Sequence, residues 1–246
     1  MHQFFVEDDQ VGKEYITITG SDVNHIKKAL RMKRGEKIRV STSSRRDYYC
    51  VISEIGESFI QADIADENAP STELPSKIYL FQALPKGDRM EYIIQKAVEL
   101  GVYEIIPVSM KYCVVKLDQK REKTRIARWQ AISESAAKQS KRSMIPLVHT
   151  VMDFNEAARY ASQCDVRIVP YENHSGMAST GIALNKLQPG KSVSVIIGPE
   201  GGFAPEEIDA LRSGFDVVSL GKRILRTDTA AISMMSLIML KLEMSR

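Results

Sequence analysis

The sequence predicts an α/β protein with two domains, and two observations support this prediction. Residues 37–64 contain short strand patterns separated by turns, whereas the chain from residue 77 onward alternates strands with amphipathic helices. Such alternation predicts a mostly parallel sheet that is covered on both faces. The length of 246 residues permits one domain or two, and 43% hydrophobic with 26% charged residues is typical of a folded globular protein.

The N-terminal strand patterns predict a small antiparallel barrel or sandwich. They are "KIRV" at 37–40, "YYCVISEI" at 48–55 and "FIQADI" at 59–64. The following segment "DENAPSTELPSK", at 66–77, contains two prolines among small polar residues, which is typical of a domain boundary. We therefore expect one domain over residues 1–72 and a second over residues 73–246.

The second domain begins with the strand "KIYLFQAL" and the helix "RMEYIIQKAVELG", which ends at a glycine. The elements predicted after it are the strand "EIIPVSM", the helix "EKTRIARWQAISESAAKQSK", the strands "VRIVPY" and "VSVIIGP", the helix "PEEIDALRSG", the strand "FDVVSLG" and a last helix from near Thr229. The alternation of strands and helices among these elements supports the α/β assignment.

Composition excludes several classes of protein. The cysteines Cys50, Cys113 and Cys164 form no CxxC pair, so neither a disulfide framework nor a zinc site is indicated, and no histidine has metal-ligand spacing. We expect no metal, a cytoplasmic location, no membrane segment and no targeting signal. The formal net charge of +3 permits a polyanionic partner without indicating one.

The stretch "VSVIIGPEGGF", residues 193–203, runs from an apolar strand into a glycine-rich turn before a helix opened by Pro205. This layout is typical of a ligand-binding loop, because glycine permits close backbone approach. It lacks the GxGxxG and GxxxxGK[ST] patterns, and Glu200 would repel a phosphate. A ligand that is neutral or cationic there, such as S-adenosylmethionine, fits better. A plain strand-to-helix turn is an equal alternative at this point.

A second loop, "SLGKRILRTDTAA" at 219–231, follows another strand and carries Lys222, Arg223 and Arg226. The pair "IIGPEGG" and "LGKRILRTDTA" strongly resembles the SPOUT class of methyltransferases. Within that class it is similar to the RsmE-type family, which methylates N3 of a uridine in 16S ribosomal RNA. The segments "HIKKALRMKRGE", "QKAVELGV" and "SESAAKQSKR" extend the resemblance over nearly the whole chain. One departure is Asp228, where the family usually has the longer Glu.

The resemblance implies a small N-terminal PUA-like β-barrel and a C-terminal SPOUT α/β domain whose end is threaded into a trefoil knot. It also implies a homodimer with the active site where two knots meet, S-adenosylmethionine as methyl donor and 16S ribosomal RNA of the small subunit as partner.

The site residues implied by the resemblance fall into three donor-binding segments. These are Gln82, Ala83 and Leu84; Ile197, Gly198, Pro199, Glu200, Gly201 and Gly202; and Leu220, Gly221, Ile224, Leu225 and Arg226. Arg226 is expected to stabilise negative charge that develops on the uracil. Glu200 or Asp228 is the candidate base for the N3 proton, and either is equally suited to orienting an arginine.

Basic side chains are expected to contact RNA phosphates, which position a substrate without specifying its sequence. The candidates are His25, Lys27, Lys28, Arg31, Lys33 and Arg34; Arg45 and Arg46; and Lys138, Lys141 and Arg142. Two alternatives stay open: a non-catalytic RNA-binding or ribosome-assembly protein, and a SPOUT methyltransferase for another RNA position. The sequence also leaves open which residue is the base, whether free RNA or the assembled subunit is the substrate, and which protomer supplies which residue.

Overall fold

Two structural units make up the chain. The computed structural model describes residues 1–67, 69–174 and 176–245. Unit 1 comprises residues 1–73 together with 137–145, and unit 2 comprises residues 74–136 and 146–246. The sequence prediction assigned residues 137–145 to the C-terminal domain, because nothing in a linear pattern indicates that a segment returns to an earlier unit.

Unit 1 is built on a five-stranded sheet with the order β1-β3-β4-β5-β2. Its strands are β1 His2–Val6, β2 Tyr15–Ile18, β3 Lys37–Thr42, β4 Asp47–Ile55 and β5 Ile60–Asp66. The pairings β3–β4 and β4–β5 are antiparallel as predicted. Strand β2 also pairs with β5 in antiparallel orientation, whereas β1 pairs with β3 in parallel. The sequence analysis did not predict β1 or β2, which pair with strands far from them along the chain.

The core of unit 1 lies on the face of this sheet that carries alternating apolar residues. Fourteen buried residues form one cluster: Phe4, Val6, Ile16, Ile18, Val23, Ile26, Met32, Ile38, Val40, Tyr48, Cys50, Ile52, Ile60 and Ala62. Val23 and Ile26 come from a short helical segment, α1 Ser21–Asn24 continued by a π-helical turn at His25–Ala29. In that turn the Leu30 amide donates to the His25 carbonyl at 2.9 Å, five residues back.

A buried carboxylate, Asp47, organises the polar interior of unit 1. It accepts hydrogen bonds from the Ser41 hydroxyl at 2.5 Å and from the Ser143 hydroxyl, and its other contact is the Arg39 guanidinium at 2.9 Å. Both charged side chains are almost fully buried. A buried charge must be paired and hydrogen-bonded to be tolerated, and Asp47 meets that requirement, whereas the Arg39 Nε has no hydrogen-bond partner among the described residues.

Arg142 attaches the returning segment to the rest of unit 1. Its side chain is only 4% exposed, and its guanidinium donates to Glu73 with distances of 2.5–3.0 Å. The Arg142 carbonyl accepts from the Gln3 amide at 2.5 Å, and the Ser143 amide donates to Glu73 at 2.8 Å. The prediction that Arg142 contacts RNA is therefore wrong, because its guanidinium is buried and bound to a carboxylate.

Unit 2 contains a seven-stranded sheet with the order β12-β10-β11-β6-β7-β8, and β9 also pairs with β7. The strands are β6 Ile78–Ala83, β7 Glu104–Ser109, β8 Leu147–Val148, β9 Met152–Asp153, β10 Val166–Pro170, β11 Val193–Ile197 and β12 Asp216–Val218. Every pairing is parallel, which confirms the predicted sheet type. All five residues of β11 are buried, as expected when both faces of a parallel sheet are covered.

Among the described residues, the helices after β6 are α2 Arg89–Glu99, α3 Gln119–Ser140, α4 Phe154–Ala161, α5 Ala178–Asn185, α6 Pro205–Arg212 and α7 Thr227–Glu243. They belong to unit 2, except that residues 137–140 of α3 belong to unit 1. Helices α4 and α5 were not predicted from the sequence. Helix α7 packs against α2 and β11, and α4 packs against β6, β7 and β11. The trefoil knot stays a prediction, because strand order and pairing describe neighbours and not the threading of the chain.

Arg142→Ala is expected to lower the free energy of unfolding of unit 1 by about 3 kcal/mol, because it leaves Glu73 without its buried cationic partner. Urea denaturation followed by the fluorescence and circular dichroism of the whole chain measures this loss. Lys33→Ala, at an exposed position of the same unit, is the control and should change stability by less than about 0.5 kcal/mol. A stability equal to that of the control would contradict the structural role of Arg142.

Candidate active site

The candidate site lies at the carboxyl ends of β10, β11 and β12, which are neighbours in the sheet. Parallel strands end at the same edge, so the loops that follow these three strands meet. They enclose a cavity of about 390 Å³, within the range of small-molecule sites. The lining residues are Pro170, Tyr171, Glu172, Ile197, Gly198, Pro199, Glu200, Gly201, Gly202, Phe203, Ser219, Leu220, Gly221, Arg223, Ile224, Leu225, Arg226, Thr227 and Ala230.

The glycines after β11 are required by close contacts. A Cβ at Gly198 would lie 2.9 Å from the Phe203 ring, and a Cβ at Gly201 would lie 3.0 Å from the Tyr112 Cβ. Gly202 has a φ of 74°, a left-handed conformation that L side chains rarely adopt. The glycine-rich sequence therefore produces a tight turn whose backbone is exposed to the cavity.

Glu200, at the tip of this turn, binds the connection between β6 and α2. Its carboxylate accepts from the Lys86 amide at 2.9 Å and pairs with the Arg89 guanidinium at 2.5 Å. Burial, the largest contribution, raises the pKa of Glu200, but the backbone amides of Lys86 and Glu200 and the Arg89 guanidinium outweigh it, and the pKa is lowered overall. A carboxylate with a lowered pKa is a weak base, so this geometry favours the orienting role of Glu200 over the catalytic one.

The predicted donor-binding segment on β6 does not line the cavity. Gln82 and Ala83 are fully buried and Leu84 is 3% exposed. Strand β6 pairs with β11 on the side opposite to β10, so its end does not adjoin the loop after β12. The end of β10 takes that place, with Pro170, Tyr171 and Glu172 in the lining. Sequence reasoning missed these residues because strand order, which no local pattern encodes, decides which strand end adjoins the two loops.

The loop after β12 provides the opposite wall of the cavity. Thr180 of α5 donates to the Ser219 carbonyl at 2.6 Å, and the Ser219 hydroxyl lies 3.3 Å from the Gly221 amide. Gly221 has a φ of 109°, so only glycine suits this turn. Ile224 is 86% exposed, whereas Leu225 is half-buried. Predicted residues of both glycine loops, which are distant in sequence, are thus brought together.

The charged groups in the lining are of both signs. Glu172 and Glu200 contribute carboxylates, and Arg223 and Arg226 contribute exposed guanidinium groups. Within the described residues the Arg226 side chain makes no hydrogen bond or ion pair. A ligand that carries both positive and negative groups suits this lining better than a polyphosphate does.

The amino end of α6 is occupied by the protein itself. The buried Glu207 carboxylate accepts from the Ala204 amide at 2.9 Å and from the Lys111 amide at 2.9 Å. A carboxylate at this position stabilises the helix end and also repels an anion. The geometry therefore argues against a phosphate site at α6, as the sequence analysis expected from Glu200.

Asp228 lies in the first turn of α7 and is not among the residues that line the cavity. One of its carboxylate oxygens is buried and has no hydrogen-bond partner among the described residues. The structure therefore brings Arg226 to the cavity without bringing Asp228, its neighbour two residues on. The assignment of Asp228 as base stays a prediction.

The basic residues predicted to bind RNA separate into two groups in unit 1. His25, Lys28, Arg31, Lys33, Arg34, Arg45 and Arg46 are exposed. Lys27 donates to the Gly56 carbonyl at 2.8 Å, Lys138 pairs with Asp22 at 3.0 Å, and Lys141 donates to the Lys138 carbonyl at 3.3 Å. The second group, together with Arg142, is engaged in contacts within the fold, and Arg46 of the first group also pairs with Asp8 at 3.7 Å.

Neither a metal centre nor a membrane segment is found in the described part of the chain. No group of three or more His, Cys, Asp or Glu side chains is arranged to hold a metal ion within residues 1–67, 69–174 and 176–245. Over the same residues, none of the helices combines the length and the apolar character needed to cross a bilayer.

Comparison with known proteins identifies the family. An RNA methyltransferase domain family matches residues 72–239, and an RNA methyltransferase PUA domain family matches residues 18–65. Ribosomal RNA small subunit methyltransferase E of Bacillus subtilis is 33% identical over 256 aligned positions, which cover 100% of this chain and 99% of that protein. The chain belongs to the ribosomal RNA small subunit methyltransferase E family. This membership confirms the resemblance and the PUA-like assignment of the N-terminal sheet.

Two solved structures of similar proteins contain a methyl donor. A ribosomal RNA small subunit methyltransferase E from Neisseria gonorrhoeae bound to S-adenosyl methionine is 30% identical with a TM-score of 0.82, and the match covers 96% of this chain and 95% of that one. A methyltransferase from Legionella pneumophila in complex with the cofactor SAM is 29% identical, also with a TM-score of 0.82, over 97% of this chain and 96% of that one. Family members with this fold therefore bind SAM.

Removing the Arg89 guanidinium should raise the pKa of Glu200, because a favourable charge and a hydrogen bond to the carboxylate are lost. An NMR titration of the glutamate carboxyl carbons in Arg89→Ala, with the Glu200 signal assigned through Glu200→Gln, measures the shift. Because the pKa of Glu200 is lowered in the folded state, its contribution to stability is fully present above the pKa of the unfolded chain and is lost as the pH falls through the pKa of the folded state.

The control for this titration is Arg121→Ala, whose guanidinium is exposed and pairs with Asp118. The Glu200 titration should be unchanged in that variant. An unchanged titration in Arg89→Ala as well would contradict the orienting contact.

Proposed function

We propose that this protein is an S-adenosylmethionine-dependent methyltransferase that methylates N3 of a uridine in 16S ribosomal RNA of the small subunit. The observation that carries the proposal is the cavity formed by two glycine loops and the end of β10, with Arg226 in its lining. Family membership supports ribosomal RNA as the substrate, and the SAM-bound relatives support the donor.

The cavity residues fit the donor in shape and in charge. Backbone amides and carbonyls of the loops at 198–202 and 219–221 are available for the adenine edge, while Ile197, Leu220 and Leu225 provide apolar surface for its faces. The lining carboxylates and guanidinium groups suit a ligand with an ammonium, a sulfonium and a carboxylate. When bound, S-adenosylmethionine supplies a methyl group that is activated by the sulfonium.

Arg226 is proposed to act on the nucleotide. Uracil N3 carries a proton and becomes a good nucleophile only when that proton is lost, which places negative charge on the ring oxygens. An exposed guanidinium without a partner among the described residues is free to stabilise that charge. The N3 proton would pass to a base, and the methyl group would pass from the sulfonium to N3 with release of the demethylated donor, so no oxidant or reductant is needed.

The role of base is proposed for Asp228 in preference to Glu200. Glu200 is bound to Arg89 and Lys86 and has a lowered pKa, which suits positioning. Asp228 retains a carboxylate oxygen without a hydrogen-bond partner in the described part of the chain. The proposal requires contact between the bound uridine and the Asp228 carboxylate of one of the two protomers of the proposed dimer.

Unit 1 is proposed to hold the RNA backbone. The exposed basic residues of the π-helical turn and of the β3–β4 turn are suited to phosphate contacts, which give affinity and little sequence selectivity. Arg31 and Arg45 also have left-handed backbone conformations, with φ of 52° and 63°. Non-glycine residues in this region are found at functional sites more often than elsewhere.

A homodimer in the cytoplasm is proposed as the working form. Helix α7 and its neighbour α2 carry exposed large apolar side chains, Leu240 and Tyr92, and Met244 follows directly after α7. Exposed apolar side chains grouped on packed helices are typical of a protein–protein interface. Size-exclusion chromatography with light scattering would determine the mass of the assembly.

Gly201→Val is expected to weaken binding of S-adenosylmethionine at least tenfold. The new side chain would meet the Tyr112 Cβ and carbonyl, which lie 3.0 and 3.5 Å from the position of its Cβ, so the loop must shift. Isothermal titration calorimetry measures the affinity. Gly181→Ala is the control, since a Cβ there meets no atom within 4 Å. Wild-type protein that binds neither the donor nor its demethylated product would favour a non-catalytic RNA-binding protein.

Mass spectrometry of 16S ribosomal RNA tests the substrate. Cells that lack the gene should lose N3-methyluridine, and the wild-type gene should restore it. Persistent N3-methyluridine in the deletion strain would exclude this substrate, and loss of a different methylated nucleotide would identify the alternative position.

Arg226→Ala should lower kcat about 100-fold while donor affinity stays within about threefold, because charge stabilisation acts in the transition state. Arg212→Ala, which changes an exposed arginine on α6, is the matched control.

A further inference from the structure

A directional pair of hydrogen bonds joins three elements of unit 2. The Gln82 side-chain amide nitrogen donates to the Thr227 hydroxyl at 2.9 Å, and that hydroxyl donates to the Gly198 carbonyl at 2.7 Å. The orientation of the Gln82 amide is fixed because the same nitrogen also donates to the Ala83 carbonyl at 2.9 Å. A carbonyl only accepts, so the nitrogen must face it. The Thr227 proton is then committed to Gly198.

These contacts are shielded from water. Gln82 is fully buried and Thr227 is 5% exposed, so water does not readily replace either hydrogen bond. Gln82 is aligned in the sheet with Ile197, the last residue of β11, which immediately precedes Gly198. The amide thus lies beside the point where the glycine loop leaves the sheet.

The hydrogen bond from Thr227 to Gly198 also positions the end of the second loop, residues 219–226. Thr227 is the first residue of α7, and Arg226 immediately before it has an extended backbone with φ of −67° and ψ of 155°. A hydrogen bond from Thr227 to Gly198 therefore fixes the start of the glycine loop relative to the residue that carries the candidate catalytic guanidinium.

A buried glutamine on a central strand is costly in this position. Its side-chain oxygen has no hydrogen-bond partner among the described residues, and a buried unsatisfied acceptor destabilises a fold. An apolar residue of similar volume would suit the interior of the sheet better. The retained amide is therefore explained better by the positions that it enforces than by its contribution to stability.

We propose that Gln82 and Thr227 are positioning residues, which hold the glycine loop and Arg226 in a fixed relation so that the donor and the uridine meet correctly. This inference rests on the proposed methyltransferase function. It also changes the role of Gln82, which the sequence analysis placed in direct contact with the donor.

The test compares Thr227→Val, which keeps the shape of the side chain without its hydroxyl, with Thr227→Ser, which keeps the hydroxyl. Four quantities are measured: the donor Kd by calorimetry, kcat and the KM for RNA in the methyl-transfer assay, and amide hydrogen exchange of residues 198–203 in donor-free protein. In Thr227→Val we expect kcat to fall at least tenfold, the RNA KM to stay within twofold, and the loop amides to exchange at least tenfold faster. Thr227→Ser should restore most of each quantity.

Gln82→Met tests the hydrogen bond from Gln82 to Thr227, because it keeps the side-chain volume and removes the amide group that donates to the Thr227 hydroxyl. Its effects should be smaller than those of Thr227→Val, since the hydroxyl can still reach Gly198. The double variant should be no worse than Thr227→Val alone, as expected for residues that act through one hydrogen bond. Thermal unfolding of every variant shows whether it is folded at the assay temperature, and if Thr227→Val is not, Gln82→Met and Thr227→Ser decide the question.

Several outcomes would overturn the proposal. The proposal fails if Thr227→Val matches the wild type in amide exchange, donor affinity and kcat. It also fails if Thr227→Ser is as defective as Thr227→Val, or if the effects in the double variant are strictly additive. If wild-type protein transfers no methyl group, the proposed function fails, and the exchange of the loop amides still decides whether the Thr227–Gly198 hydrogen bond positions the loop.

Discussion

The burial of the central strands on both faces is the constraint on which unit 2 depends. Strands β6 and β11 have almost no exposed surface, so they consist mainly of apolar residues and cannot carry solvent-accessible polar groups along their length. Polar chemistry is consequently restricted to the strand ends. Because all strands of the sheet run parallel, the loops after β10, β11 and β12 meet at a single edge, and both glycine loops contribute to one cavity.

The glycine loop is flexible by composition and is fixed by polar contacts at its start and at its tip. At the start Gly198 accepts a hydrogen bond from Thr227, and at the tip Glu200 is held by Arg89 and by the Lys86 amide. A loop that is held in place before the ligand arrives loses little entropy on binding. This accounts for a carboxylate at the tip of a ligand-binding turn, which first reads as an unfavourable choice.

In unit 1, internal contacts likewise hold some polar side chains in place, and other polar side chains are exposed. The buried set around Asp47, together with the Arg142–Glu73 pair, pairs charges in the interior, while His25 and Lys28 of the π-helical turn stay exposed. Basic residues thus serve two purposes in unit 1: some form ion pairs within the fold, and others are exposed. Lys138 and Arg142, which lie in one basic cluster of the sequence with Lys141, pair with Asp22 and Glu73 respectively.

The amino-acid sequence by itself determined the α/β class, the parallel sheet and the family, because hydrophobic periodicity and the two glycine loops are local patterns. It also indicated most of the residues that line the cavity, namely residues 197–202 together with Leu220, Gly221, Ile224, Leu225 and Arg226. Only the tertiary structure decided that Gln82 is a buried donor to Thr227, that Pro170 to Glu172 complete the cavity, and that Arg142 is buried. Each of these depends on strand order or on a segment that returns to a distant unit, and such long-range contacts leave no periodic signal along the chain.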